Sequence, residues 1–169
     1  MTTVTTVTTV TTVMPFERDF DSTVRLAIMD ALLAGRTPSP ASVAQALHVN
    51  ADDAAAAFDR LAAGRAIVLS VPTRDIRMAA PLAAAETDFR VHVGDRSVYA
   101  NCVWDALGVP VMLAGAGRPV AARIDTQCPD CAHPLAIEVR DGRLTSDPSD
   151  AVVHFAVPAA RWWADIVFT

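Results

Sequence analysis

The chain has 169 residues, of which 52% are hydrophobic and 20% are charged, and its formal net charge is −5. This length suits one compact domain or two small ones, and the negative charge argues against a general nucleic-acid binder, which needs a basic face. The sequence contains no run of about 18 apolar residues and no leader with a charged and then an apolar region, so we expect a cytoplasmic protein without membrane contact.

The first half of the chain predicts three helices followed by a hairpin. Residues 1–15 are a low-complexity Thr-Thr-Val tail, to which we assign no function. Helical spacing and turn residues then predict helices at 16–34, 41–47 and 51–63. Two strands are predicted after them, at 66–71 and 76–79. The candidate helix caps are Asp21 or Ser22, then Ser39, then Asn50. This order predicts a winged-helix-like domain at residues 16–80.

A winged helix often binds DNA through its third helix, so the charges of that helix matter. Here the helix carries Asp52, Asp53 and Asp59 beside the single basic residue Arg60. Three acids would repel phosphates, and we therefore expect a structural role for this domain and no nucleic-acid partner.

The second half of the chain predicts a small, mostly antiparallel sheet with helices, which makes the whole protein α+β. Residues 81–88 form an alanine-rich connector, and residues 89–169 form the second domain. Its expected elements are strands at 89–93, 119–124, 135–139 and 151–157 and helices at 97–107 and 158–167. Gly108 and Pro110 should end the first of these helices.

Cys102 and Asp105 stand three residues apart in an apolar helical pattern, so their side chains should share one face. A thiolate is a soft metal ligand and a strong nucleophile, and a nearby carboxyl can move a proton. Because free cysteines are commonly buried, the spacing alone favours a structural cysteine beside a surface aspartate.

Cys128 and Cys131 form a Cys-x-x-Cys turn, and His133 follows closely. Such a turn can present two sulfurs to one metal ion, and the histidine could add a nitrogen. A closed zinc site needs four ligands and a redox pair normally opens a helix, so a structural turn, a metal site and a redox pair all stay open. The odd total of three cysteines suits the reducing cytosol better than a disulfide scaffold.

Taken together, the winged-helix-like front half, the segment Tyr-Ala-Asn-Cys-Val-Trp-Asp-Ala-Leu at 99–107 and the later Cys128 resemble the organomercurial (alkylmercury) lyase family over roughly residues 20–169. The resemblance implies protonolytic cleavage of a carbon–mercury bond to a hydrocarbon and Hg(II), without an organic cofactor. It assigns Cys102 to mercury binding and Asp105 to proton delivery. Cys128 matches a family cysteine without an established direct catalytic role, and Cys131 and His133 are weaker candidates for metal binding.

The resemblance also implies a second catalytic cysteine directly after the segment that ends at Thr169, where this sequence stops. A degenerate gene, a UGA codon for selenocysteine and a shortened protein with another role would each explain this, and the coincidence of position favours the second. By this reasoning the 169-residue chain should capture organomercurials but cleave them slowly.

The expected partners are an organomercurial substrate and then small thiols or a mercury reductase, which would take the Hg(II) product. The alternative function is non-enzymatic. A thiol protein could bind mercury or another soft metal through its cysteines, or act as a sensor.

Overall fold

The computed structural model describes residues 19–117, 119–146 and 151–166, and these contain four α-helices and eight strands. The helices are α1 (Phe20–Leu33), α2 (Pro40–Leu47), α3 (Ala51–Ala63) and α4 (Val103–Gly115). The strands β1 to β8 are Val68–Leu69, Ile76–Ala79, Leu82–Ala83, Arg90–Val93, Arg96–Ala100, Ala121–Gln127, Pro134–Arg140 and Arg143–Leu144. A 3-10 helix, Ala159–Ala164, follows. The predicted α+β class is confirmed, while the Thr-Thr-Val tail lies outside the described residues.

The first three helices begin at polar caps that satisfy their free N–H groups. Ser39 caps α2 and Asn50 caps α3, as predicted. In α1 the cap is Asp19, whose carboxylate accepts the N–H of Ser22 at 2.7 Å. The prediction of Asp21 or Ser22 as this cap was therefore wrong, and both residues lie inside the first turn.

The inward face of α3 agrees with the sequence pattern. The buried residues of this helix stand at helical spacing and are Ala54, Ala57, Phe58 and Leu61. They join a hydrophobic core that also takes side chains from α1 and from the sheet. The helix α3 packs against both α1 and α2.

All eight strands form one antiparallel sheet in the order β1-β2-β3-β5-β4-β6-β7-β8. In its centre Val91 of β4 lies opposite Val98 of β5 and Ile124 of β6. These three side chains are buried, because alternate residues of each strand point to the same face.

Two details of the hairpin region differ from the sequence prediction. Only Val68–Leu69 of the expected strand at 66–71 pairs with β2, and its register is irregular. The expected connector at 81–88 contains β3, which pairs with both β2 and β5 and so joins the hairpin to the rest of the sheet. The pairing of β3 with β5, which skips the intervening β4, decided the second outcome, since local residue preferences do not encode it.

The helix that carries the candidate pair starts and ends later than predicted. Residues 96–100 are strand β5, and α4 begins at Val103 and continues through Gly108 and Pro110 to Gly115. Proline removes one backbone hydrogen bond from a helix and destabilises its interior by about 3 kcal/mol. Here Pro110 is buried beside Val109 against the core, and this burial offsets the loss.

The strand predicted at 151–157 is also absent from the described residues, where this segment is irregular. Its exposed side chains include Val152, Val153 and Phe155. This segment pairs with no strand among the described residues, and Phe155 packs on aromatic rings instead. The helix predicted at 158–167 is a shorter 3-10 helix, which begins after Pro158 as expected.

No helix within the described ranges is long and apolar enough to cross a membrane.

Candidate active site

Strand β5 and helix α4 meet at a two-residue turn, and this turn places the candidate pair. Ala100 ends β5 in a fully buried position and donates its N–H to the Phe89 carbonyl at 2.9 Å. Cys102 then adopts an extended conformation and becomes the N-cap of α4. Because α4 packs across the central strands, its first turn is held at the edge of the core.

The Cys102 sulfur acts as a helix cap. Its Sγ accepts the backbone N–H of Asp105 at 3.5 Å, and its carbonyl accepts the N–H of Ala106 at 2.9 Å. A helix N-terminus favours negative charge, as do N–H groups that point at a sulfur. The sequence predicted that Cys102 and Asp105 lie together, and they do, although Cys102 stands at the helix boundary rather than inside the helix.

Burial dominates the electrostatics of both groups. It raises the pKa of the Cys102 thiol, since the N–H groups of Asp105 and Trp104 only partly counter the loss of solvent and the Asp105 charge adds to the increase. Burial likewise raises the pKa of the Asp105 carboxyl, and a hydrogen bond from Asn101 partly opposes this. The site therefore favours a neutral thiol and a protonated carboxyl more than water does.

Asn101 is a residue of this site that the sequence analysis missed. Its Nδ2 donates to Asp105 Oδ2 at 2.8 Å, while its buried Oδ1 has no hydrogen-bond partner in the described part of the chain. The amide therefore orients the carboxyl group and keeps one acceptor free beside it. The only sequence signal was an asparagine directly before the candidate cysteine, which is too common a pattern to stand out.

The second pair, Cys128 and Cys131, lies in the turn between β6 and β7. Cys128 donates its N–H to the His133 carbonyl at 2.9 Å, which closes the turn. Hydrogen bonds from the N–H groups of Cys131 and Asp130, and from the Cys131 thiol, lower the pKa of Cys128. Among the described residues, no three histidine, cysteine, aspartate or glutamate side chains are grouped to hold one metal ion, so the Cys102–Asp105 pair and the Cys128–Cys131 pair form no shared three-ligand site.

The opposite pKa shifts predict different thiol reactivities. At pH 8, Cys128 should react with iodoacetamide faster than Cys102, because alkylation requires the thiolate and the Cys102 thiol deprotonates at higher pH. Mass spectrometry of peptides after short exposures, repeated across pH, measures both rates in one sample. A faster reaction of Cys102, or equal midpoints for the two profiles, would contradict the assigned electrostatics.

Comparison with known protein families identifies the family of this chain. The model of the family described as MerB, alkylmercury lyase, matches residues 82–169, just over half of the chain. The chain belongs to the alkylmercury lyase family. Its matched segment runs from β3 to the end of the sequence and contains Cys102, Asp105 and the Cys128–Cys131 turn. The family prediction is thus confirmed.

A solved structure shares the fold. The crystal structure of the mercury-bound form of MerB2 superimposes with a TM-score of 0.55 at 18% sequence identity, covering 77% of this chain and 67% of that one. Among the curated proteins, none matches the sequence.

Proposed function

We propose that this chain cleaves carbon–mercury bonds at the start of α4, where Cys102 binds the mercury and Asp105 delivers the proton. The observation that carries the proposal is the pairing of a half-buried thiol with a carboxyl group whose pKa is raised by the same burial. Family membership supports the reaction type, and the resemblance to the family, together with the proximity of the two side chains, supports the two roles.

The first step is capture of the substrate. Mercury is a soft metal, so the sulfur of Cys102 displaces a weaker ligand of an organomercury cation and releases the thiol proton. The helix N-terminus and the N–H of Asp105 stabilise the Cys102 thiolate that forms. A second sulfur ligand on mercury then raises the electron density on the metal and weakens the bond to carbon.

The second step is protonation of carbon. The raised pKa of Asp105 keeps more of the carboxyl in its acid form than an exposed aspartate would hold. Transfer of this proton to the carbon breaks the carbon–mercury bond, whose electron pair forms the new carbon–hydrogen bond. The hydrocarbon leaves, Hg(II) stays on sulfur, and the Asn101 amide holds the resulting carboxylate.

Release of benzene from phenylmercury tests this function. The chain, given excess free cysteine as a source of the second sulfur ligand, should produce benzene above a protein-free blank, measured by headspace gas chromatography. A variant in which all three cysteines are serine is the matched control. Benzene at the level of the blank, with mercury bound to the protein, would favour a non-enzymatic mercury-binding thiol protein instead.

Several broader features belong to the same proposal. Residues 16–80 are a winged-helix-like domain that supports a catalytic domain at 89–169, and the absence of a basic third helix argues against a nucleic-acid partner. The protein works in the cytoplasm, where its free thiols stay reduced, without membrane contact. Small thiols or a mercury reductase then remove the Hg(II), and Cys128, Cys131 and His133 are secondary candidates for holding it on the way.

A further inference from the structure

An apolar cleft of about 540 Å³ lies beside the first turn of α4. Its lining contains no ionisable side chain and consists of Trp104, Phe155, Val157, Pro158, Ala159 and Trp162. This volume falls within the range typical of small-molecule sites, which are mostly apolar with a few polar groups nearby. The family chemistry uses only sulfur and a carboxyl group, so it leaves this cleft without a role.

Three aromatic rings shape the cleft. Phe155 meets Trp104 edge to face, with ring centroids 6.4 Å apart, and Trp162 at a tilt, with centroids 5.4 Å apart. The indole N–H of Trp162 donates to the Val157 carbonyl at 3.0 Å, which holds its ring against the backbone. The edge-to-face contact with Phe155 leaves the exposed ring of Trp104 accessible to a further flat group.

Trp104 links the cleft to the turn that holds Cys102, because its side chain lines the cleft while its backbone N–H belongs to the first turn of α4. This residue stands between Cys102 and Asp105 in the chain, and its N–H is one of those that favour the Cys102 thiolate. Its side chain is nevertheless 60% exposed, which is unusual for a tryptophan beside a half-buried thiol and carboxyl. An exposed aromatic wall next to a reactive site is typical of a ligand-binding surface.

We propose that this cleft binds the organic group of the mercurial and that it selects aryl groups over methyl. The inference rests on the proposed function, since it places the carbon side of the substrate next to the mercury ligand Cys102. A phenyl ring can contact Trp104 and Phe155 together, whereas a methyl group is too small to reach both. Aromatic contacts and apolar burial of this size correspond to a preference of about tenfold or more.

Exchange equilibria measure this preference directly. In a Cys128→Ser, Cys131→Ser background, Cys102 is the remaining thiol, and its exchange constants against free cysteine are determined for phenylmercury and for methylmercury. The phenyl-to-methyl ratio should exceed one by about tenfold and fall towards one in Trp104→Ala and in Phe155→Ala. Free cysteine binds the same two organomercury groups. Intrinsic differences in their affinity for a thiolate therefore cancel from the phenyl-to-methyl ratio.

Trp163→Ala is the matched control. Trp163 lies in the same 3-10 helix as Trp162, but it lines a different cavity and packs under the guanidinium of Arg65, whose Cζ lies 5.6 Å from the ring centroid. Its loss should leave the phenyl-to-methyl ratio unchanged. Two results would overturn the proposal. One is a phenyl-to-methyl ratio near one in the background protein with all its tryptophans and Phe155 intact. The other is an equal fall of this ratio in the variants at Trp104, Phe155 and Trp163.

Indole NMR signals provide a second test, which does not depend on substitutions in the cleft. The chain has three tryptophans, of which two line the cleft. Phenylmercury bound at Cys102 should shift the indole signals of Trp104 and Trp162 more than that of Trp163, and methylmercury should shift them less. Mercury bound at Cys102 with no such difference would refute the cleft while leaving the proposed function intact. Failure to bind at Cys102 at all would refute both.

Discussion

Cys102→Ser is expected to reduce benzene release to the level of the free-thiol blank. Serine preserves the size of the side chain and can still accept the Asp105 N–H, so α4 keeps a cap. Its oxygen, however, is a hard and weakly acidic ligand that does not compete for mercury against free thiols. The variant should also bind one fewer phenylmercury group at saturation, as counted by native mass spectrometry.

Serine substitutions at the other two cysteines are the controls for this experiment. Cys128 and Cys131 are also free cysteines, and a free thiol is a soft ligand suited to mercury, but they lie in the β6–β7 turn rather than at the start of α4. Each variant should lose one bound phenylmercury group and keep benzene release. Unchanged release by Cys102→Ser, or complete loss in Cys128→Ser, would move the reaction centre to the Cys128–Cys131 turn.

Asp105→Asn is expected to lower benzene release by at least about a hundredfold while leaving phenylmercury binding intact, since a positioned general acid contributes that much or more. The amide oxygen can still accept the Asn101 hydrogen bond, so the local geometry survives. An amide cannot, however, give a proton to carbon. Single-turnover release from a preformed phenylmercury complex isolates this step from capture.

The same variant makes a prediction about stability. Because folding raises the pKa of Asp105, the stability that this group contributes is present below its unfolded pKa and is lost as pH rises through the folded value. Asparagine has no charge to bury, so at pH 7 the Tm of Asp105→Asn should be no lower than that of the wild type. The wild type alone should lose this contribution between acid and neutral pH.

Asp53→Asn is a matched control, because Asp53 occupies the third position of α3 as Asp105 does in α4 but is exposed. This substitution should change neither release nor binding. A lower Tm together with weaker mercury binding in Asp105→Asn would assign Asp105 a structural role. Full benzene release by the same variant would remove it from proton transfer.

The sequence by itself determined the elements whose signals are local. Ser39 and Asn50 begin their helices because a cap needs only a side-chain oxygen and the next few N–H groups. The buried face of α3 follows from helical periodicity. The proximity of Cys102 and Asp105 follows from their spacing of three residues, which holds whether Cys102 caps the helix or lies within it.

Only the tertiary structure decided features that depend on residues far apart in the chain. Residues 96–100 form a strand because β3 and β4 pair with them on both sides, and α4 passes Pro110 because burial offsets the lost hydrogen bond. The segment at 151–157 forms no strand among the described residues, and its Phe155 instead meets Trp104, which is distant in sequence. The raised pKa of Asp105 and the aromatic cleft share this origin, because burial and ring contacts arise only when separate elements pack together.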